Sequence, residues 1–139
     1  MFKEEQLTRE IIGIAMAVHR QLGPGFKENV YHRALLIALR KRRHLVESEK
    51  AFQVFLDGEL VGNFRVDLLV ASKVIVEIKA IDFLMPRIYR TQLVSYLKAS
   101  HIEVGLLINF GKPSLEVKRI AHFRNPSKSS QNLSESTYV

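Results

Sequence analysis

Apolar residues at Leu7, Ile11, Ile14, Ala15, Val18 and Leu22 recur every three or four positions, the spacing that lines one face of an α-helix. Gly23-Pro24-Gly25 stops that pattern, and a second helix opens near Phe26. It runs through Ala34 to Leu39, a stretch apolar nearly all round, which predicts a central position. From Leu45 the period changes. Phe52 to Leu56, Asn63 to Val70 and Val74 to Lys79 are rich in β-branched and aromatic residues between turn signals and read as strands, with Asp57-Gly58 as a hairpin turn. Pro86 stands where a helix can begin, and that helix would carry Tyr89, Gln92, Leu93, Tyr96 and Leu97. Gly105 to Phe110 and Leu115 to Ala121 complete the strands. Two helices, three strands, a helix and two strands predict one mixed α/β domain over residues 1–123. Residues 124–139, polar and Ser-rich, are expected to be a disordered tail.

The strand VIVEIKA, Val74 to Ala80, sets Glu77 and Lys79 in an otherwise apolar run. Buried charges are costly unless paired or bound to a metal. Alternation puts Ile75, Glu77 and Lys79 on one face, and Arg65, Asp67 and Leu69 on one face of the preceding strand. A three-residue loop, Ala71 to Lys73, pairs Val70 with Val74 and sets Asp67 opposite Glu77. A slip by one residue would mix buried and exposed faces. Carboxylates directly across antiparallel strands repel, and a divalent cation removes that penalty. Glu116-Val117-Lys118 repeats the Glu-x-Lys spelling, but its strand has a half-solvated alternation and no aspartate hairpin precedes it. It is expected to carry no chemistry.

A chain of 139 residues with 47% hydrophobic and 25% charged content is an ordinary globular composition. The absence of cysteine excludes zinc-thiolate sites and thiol catalysis. Charges at Lys3, Glu4, Glu5, Arg9 and Glu10 interrupt any signal-peptide pattern, and no apolar run approaches a membrane span. A cytoplasmic protein with no membrane partner is expected. The net charge of +7, with only three aspartates, invites polyanions such as nucleic acid. The run Arg40 to His44 either matches the dipole of a helix end or touches phosphate.

Asp67 followed after nine residues by Glu77-Ile78-Lys79 resembles the signature of the PD-(D/E)xK nuclease superfamily. Gln92-Leu93-Val94-Ser95-Tyr96 resembles the Q-x-x-x-Y of its exonuclease-like branch, and Gly25-Phe26-Lys27-Glu28-Asn29-Val30-Tyr31 spells G-x-x-E-x-x-Y. Together, from about Leu7 to Ile120, these are similar to the small GxxExxY family within that superfamily. Val66 stands where the superfamily has a proline.

The resemblance implies a restriction-endonuclease-like core, a mixed sheet of about five strands flanked by helices. It implies Mg²⁺ or Mn²⁺ held by Asp67, Glu77 and the Ile78 carbonyl with Glu28 nearby, and Lys79 at the attacking water. Gln92 and Tyr96 would order the site or touch the substrate backbone. The implied reaction is hydrolysis of phosphodiester bonds in nucleic acid, DNA first. Arg87, Arg90 and Lys98 either steer phosphates or are solvated charge. Other readings stay open. Glu28 could pair with Lys27 or His32, and Asp67 with Arg65 or Lys79. The whole could be a catalytically idle nuclease-like fold that binds nucleic acid or protein. A domain this small would need a homodimer or a partner for specificity.

Overall fold

The computed structural model describes residues 3–124 and 133–138. The elements are α1 (Glu5–Leu22), α2 (Glu28–Lys41), β1 (Val46–Leu56), β2 (Glu59–Val70), β3 (Val74–Lys79), α3 (Arg87–Ser100), β4 (Val104–Asn109), β5 (Glu116–His122) and β6 (Leu133–Tyr138). The strands form one sheet in the order β1-β2-β3-β4-β5-β6. Only β3 and β4, joined through α3, run parallel; the other neighbours are antiparallel. This is the mixed α/β architecture of a restriction-endonuclease-like core. Among the described residues no helix is long and apolar enough to cross a membrane.

Local chemistry explains the connections. Leu56 pairs with Glu59 across Asp57 (φ 51°) and Gly58 (φ 78°). Two positive φ values are the mark of the type I′ turn that a two-residue hairpin favours. Val70 pairs with Val74, so the three-residue loop sets the expected register. Pro86, with extended backbone, precedes α3, since its ring costs nothing where no helical N–H bond is due.

The sheet is covered on both faces. Val76, Ile78, Leu106 and Ile108 pack with Ile11, Ala15, Leu35 and Leu39 of α1 and α2. Ile75 and Leu107 pack with Leu93 and Leu97 of α3 on the other side. Strands covered on both faces read as continuous apolar runs, which is why β3 and β4 are so apolar.

Four features differ from the sequence reading. β1 begins at Val46 rather than Phe52 because Glu47, Ser48 and Glu49, all exposed, belong to an edge strand, where polar side chains are at home. The alternation of β2 does not run through Asp67. Phe64 and Val66 pack on the α3 side with Leu69, whereas Leu68 and Val70 pack on the other, so Arg65 does not share the face of Leu69. Opposite this switch, Glu49 takes a positive φ of 53°. β5 is buried on both faces, with Glu116 and Arg119 only 6% and 1% exposed, because α3 covers one side and the α1–α2 layer the other. Finally, the tail expected to be disordered supplies β6, whose backbone pairs with β5 from Val117↔Tyr138 to His122↔Leu133. Ladder pairing satisfies backbone groups without any apolar side chain, so polar composition does not forbid it. The rest of that tail, 125–132 and 139, lies outside the described residues.

Candidate active site

The pairing of β2 with β3 runs from Val70↔Val74 to Leu68↔Val76. One step further, side chains close the strands crosswise. The Asp67 N–H donates to Glu77 Oε2 at 2.7 Å, and the Ile78 N–H donates to Asp67 Oδ2 at 2.7 Å. Both are short for N–H···O bonds. They hold the carboxylates that the hairpin register placed opposite each other, and each engages one oxygen of its carboxylate.

Three groups gather round this pair. Glu77 is 6% exposed, and burial, then the charge of Asp67, push its carboxyl up to about 8; the Asp67 N–H and Lys79 pull against that rise. Glu28, the first residue of α2, is raised by burial of its carboxyl, with Lys79 and His32 opposing and Asp67 adding to the rise. The Tyr96 phenol is raised by burial, then by Glu77 and Asp67, so it keeps its proton at neutral pH. These mutual influences put Glu28, Asp67, Glu77, Lys79 and Tyr96 in one electrostatic cluster. No ion pair joins Asp67 to Arg65 or Lys79 among the described residues.

Packing fixes the members. The Tyr96 ring stacks on Phe64 at 4.2 Å, and Phe64 on Phe52 at 5.5 Å. Tyr31, fully buried and stacked on Phe110 at 4.8 Å, donates its hydroxyl to the Gly23 carbonyl and accepts the Phe26 N–H. It thereby shapes the turn that delivers Glu28. The Lys79 ammonium lies 4.5 Å over the Tyr89 ring, a cation–π contact.

Other expected residues sit less centrally. Gln92 is exposed on α3, one turn before Tyr96. Arg87, exposed, and Arg90, half-buried, flank Tyr89 at the start of α3, hence at the Lys79 end of the sheet. Lys98 lies near the other end, close enough to His122 to depress its imidazole, second to burial. His122 neighbours Ala121, which pairs with Val104, itself paired with Val74. At a strand rise of about 3.3 Å per residue, that end is roughly 16 Å from Lys79.

The donor set fits a hard divalent cation in part. No group of three or more His, Asp or Glu side chains closes into a metal-holding cluster among the described residues. Of the expected set of Asp67, Glu77, Glu28 and the Ile78 carbonyl, Asp67 and Glu77 are brought together by the crosswise bonds, each through one carboxylate oxygen. One or two carboxylates with waters is what Mg²⁺ commonly takes, and the buried negative excess that raises Glu77 is what such an ion would relieve.

Three contributors escaped the sequence reading. Tyr89 meets Lys79 through its ring, a contact that helix spacing does not report. Asn109, fully buried and in register with Lys79, organises the loop that follows it; the signal was a single amide in the apolar run Val104 to Phe110. Glu116 is not half-solvated. Its carboxylate accepts the Met85 N–H at 3.2 Å and the Asn109 amide at 3.1 Å, with the Lys112 ammonium at 3.8 Å. Those contacts are architectural.

Residues 5–120 match the family model described as PD-(D/E)XK nuclease superfamily. No curated protein matches the chain. Among solved structures, the crystal structure of SSO0001 is similar at 21% identity and a TM-score of 0.55, over 72% of this chain and 52% of that one. This chain thus spans about half the length of that protein, and the likeness concerns the fold.

Proposed function

The chain belongs to the PD-(D/E)XK nuclease superfamily, and from that premise we propose that it hydrolyses phosphodiester bonds of nucleic acid, DNA first, with a divalent metal at Asp67 and Glu77. Within the superfamily we place it in the GxxExxY branch, on Gly25, Glu28 and Tyr31. The observation that carries the reading is the crosswise closure of Asp67 and Glu77 on opposite backbones, with Lys79 two residues on.

Bound Mg²⁺ or Mn²⁺ would supply a water of lowered pKa and a counter-charge for phosphoryl oxygens. Asp67 and Glu77 would hold that ion, with the Ile78 carbonyl as a further oxygen donor. Lys79, braced on Tyr89, orients the attacking water and meets the negative charge that builds on the phosphate. Glu28 is within electrostatic reach of Lys79 and, when ionised, would offset its charge. The Tyr96 hydroxyl, kept protonated, donates a hydrogen bond toward a bound phosphate, and Gln92 extends that helix face. Arg87 and Arg90 contact backbone phosphates on the entry side.

The test is metal binding by calorimetry and cleavage of single-stranded, duplex and branched DNA. Wild type is expected to bind Mg²⁺ or Mn²⁺ and to cleave at least one substrate, with none cut in EDTA. Glu77→Ala should lose both properties. Lys79→Ala should keep metal binding and lose cleavage by about 10²–10³-fold. Wild type that binds DNA equally well in EDTA and cuts nothing would show an idle binding module instead.

A further inference from the structure

The loop between Lys79 and α3 is held by a buried polar frame. Asn109 accepts the N–H of Ile81 at 3.0 Å and of Gly111 at 3.0 Å, and donates its amide to the Phe83 carbonyl at 3.3 Å. Glu116 takes the Met85 N–H. Ile81, Phe83 and Met85, every second residue, are thus pinned through their backbone. Gly111 allows the close approach, because a Cβ there would stand 2.3 Å from the Ile81 carbonyl oxygen. Burying a carboxylate and an amide is costly, and a loop needed only as a connection could hydrogen-bond to water.

What this rigid loop presents is apolar. Phe83 is 57% exposed, Leu84 70% and Ile88 63%. Isolated exposed apolar residues are ordinary, but these three fall within six positions, and Ile88 adjoins Tyr89, the residue that carries the Lys79 ammonium. Asn109 is the register partner of Lys79 on β4, and its side-chain amide bonds the Phe83 carbonyl, so one residue ties the loop to the strand position beside Lys79. Arg87 stands among the apolar residues. Cations beside an exposed aromatic surface form the combination that holds single-stranded nucleic acid, the cations on phosphates and the apolar surface on base faces. In an intact duplex those faces are already covered by stacking.

We propose that Phe83 and Leu84 form a platform on which an unpaired base stacks beside the scissile phosphate, so that single-stranded or frayed nucleic acid is preferred over intact duplex. This rests on the nuclease reading above and specifies its substrate.

The test uses the full chain in EDTA buffer, a fluorescein-labelled DNA 12-mer with one 2-aminopurine, and the blunt duplex of the same sequence. Wild type should bind the single strand at least tenfold more tightly than the duplex and quench the 2-aminopurine. Phe83→Ser/Leu84→Ser should lose about tenfold on the single strand, under twofold on the duplex, and the quenching. Equal losses on both probes, or no loss on the single strand, would overturn the platform while leaving the nuclease reading intact. Failure of wild type to bind either probe, with or without Mg²⁺, would overturn both. If the double variant melts early, Leu84→Ser, at the most exposed of the three positions, carries the same comparison.

Discussion

Replacing Glu77 by glutamine should stabilise the metal-free protein at alkaline pH. Burial and the facing Asp67 push the Glu77 carboxyl from an ordinary 4.5 to about 8. The folded chain therefore keeps a proton that the unfolded chain has released. The stability tied to that proton is fully present below about pH 4.5 and is lost as pH rises through about 8. At about 1.36 kcal/mol per unit, ionised Glu77 costs up to about 4–5 kcal/mol at pH 9, and relaxation with water entry brings this to about 2–3 kcal/mol. Glutamine removes the charge, keeps the shape, and keeps an oxygen to accept the Asp67 N–H now held at 2.7 Å. The assay is urea denaturation in EDTA at pH 5, 7 and 9. The two proteins should agree within about 0.5 kcal/mol at pH 5, and the variant should lead by about 2 kcal/mol at pH 9. Mg²⁺ at 100 times its Kd should then raise wild type by about 2.7 kcal/mol and leave the variant unchanged. A variant less stable than wild type at pH 9 would refute the reasoning, since Glu77 would then be stabilised by Lys79 as a buried ion pair.

Two further outcomes follow from the frame around the loop. Asn109→Leu strips acceptors from the Ile81 and Gly111 N–H groups and a donor from buried Glu116. At about 1–3 kcal/mol per orphaned group, urea denaturation should show a loss of about 3–5 kcal/mol, and a loss under about 1 kcal/mol would contradict the frame. The nearest atoms to a Cβ at Gly111 are backbone of Ile81 and Ala80, which cannot rotate away, whereas the nearest to one at Gly105 belong to the Leu93 side chain, at 2.9 Å. Thermal melts should therefore rank Gly111→Ala, at about 2–3 kcal/mol, well above Gly105→Ala.

The hairpin was legible because loop length and burial together allow one register, and that register put Asp67 opposite Glu77. What followed from strict alternation failed at Asp67, where side chains take over from the ladder and the strand changes face. Glu116 was misread for a related reason. An alternating strand looks half-solvated until the layers over it are known, and polar atoms of β4 and the loop bury this carboxylate by filling it. Lys98 was legible as a helix cation, yet helix periodicity does not say which end of α3 meets the site. The lone asparagine in an apolar run was visible, but its two partners in the loop, Phe83 and Ile81, lie 26 and 28 residues earlier in the chain, a separation that no local pattern reports.

That separation gives the fold an order of assembly. Asp67, Glu77 and Lys79 arrive on one hairpin, complete by residue 79, whereas the loop beside them finds its anchors on β4 and β5. A chain emerging from the ribosome N-terminus first therefore carries its acids some forty residues ahead of Glu116, which fastens the rim. Competence is tied to completion: a truncated or stalled product would hold the reactive groups without the surface that selects what reaches them.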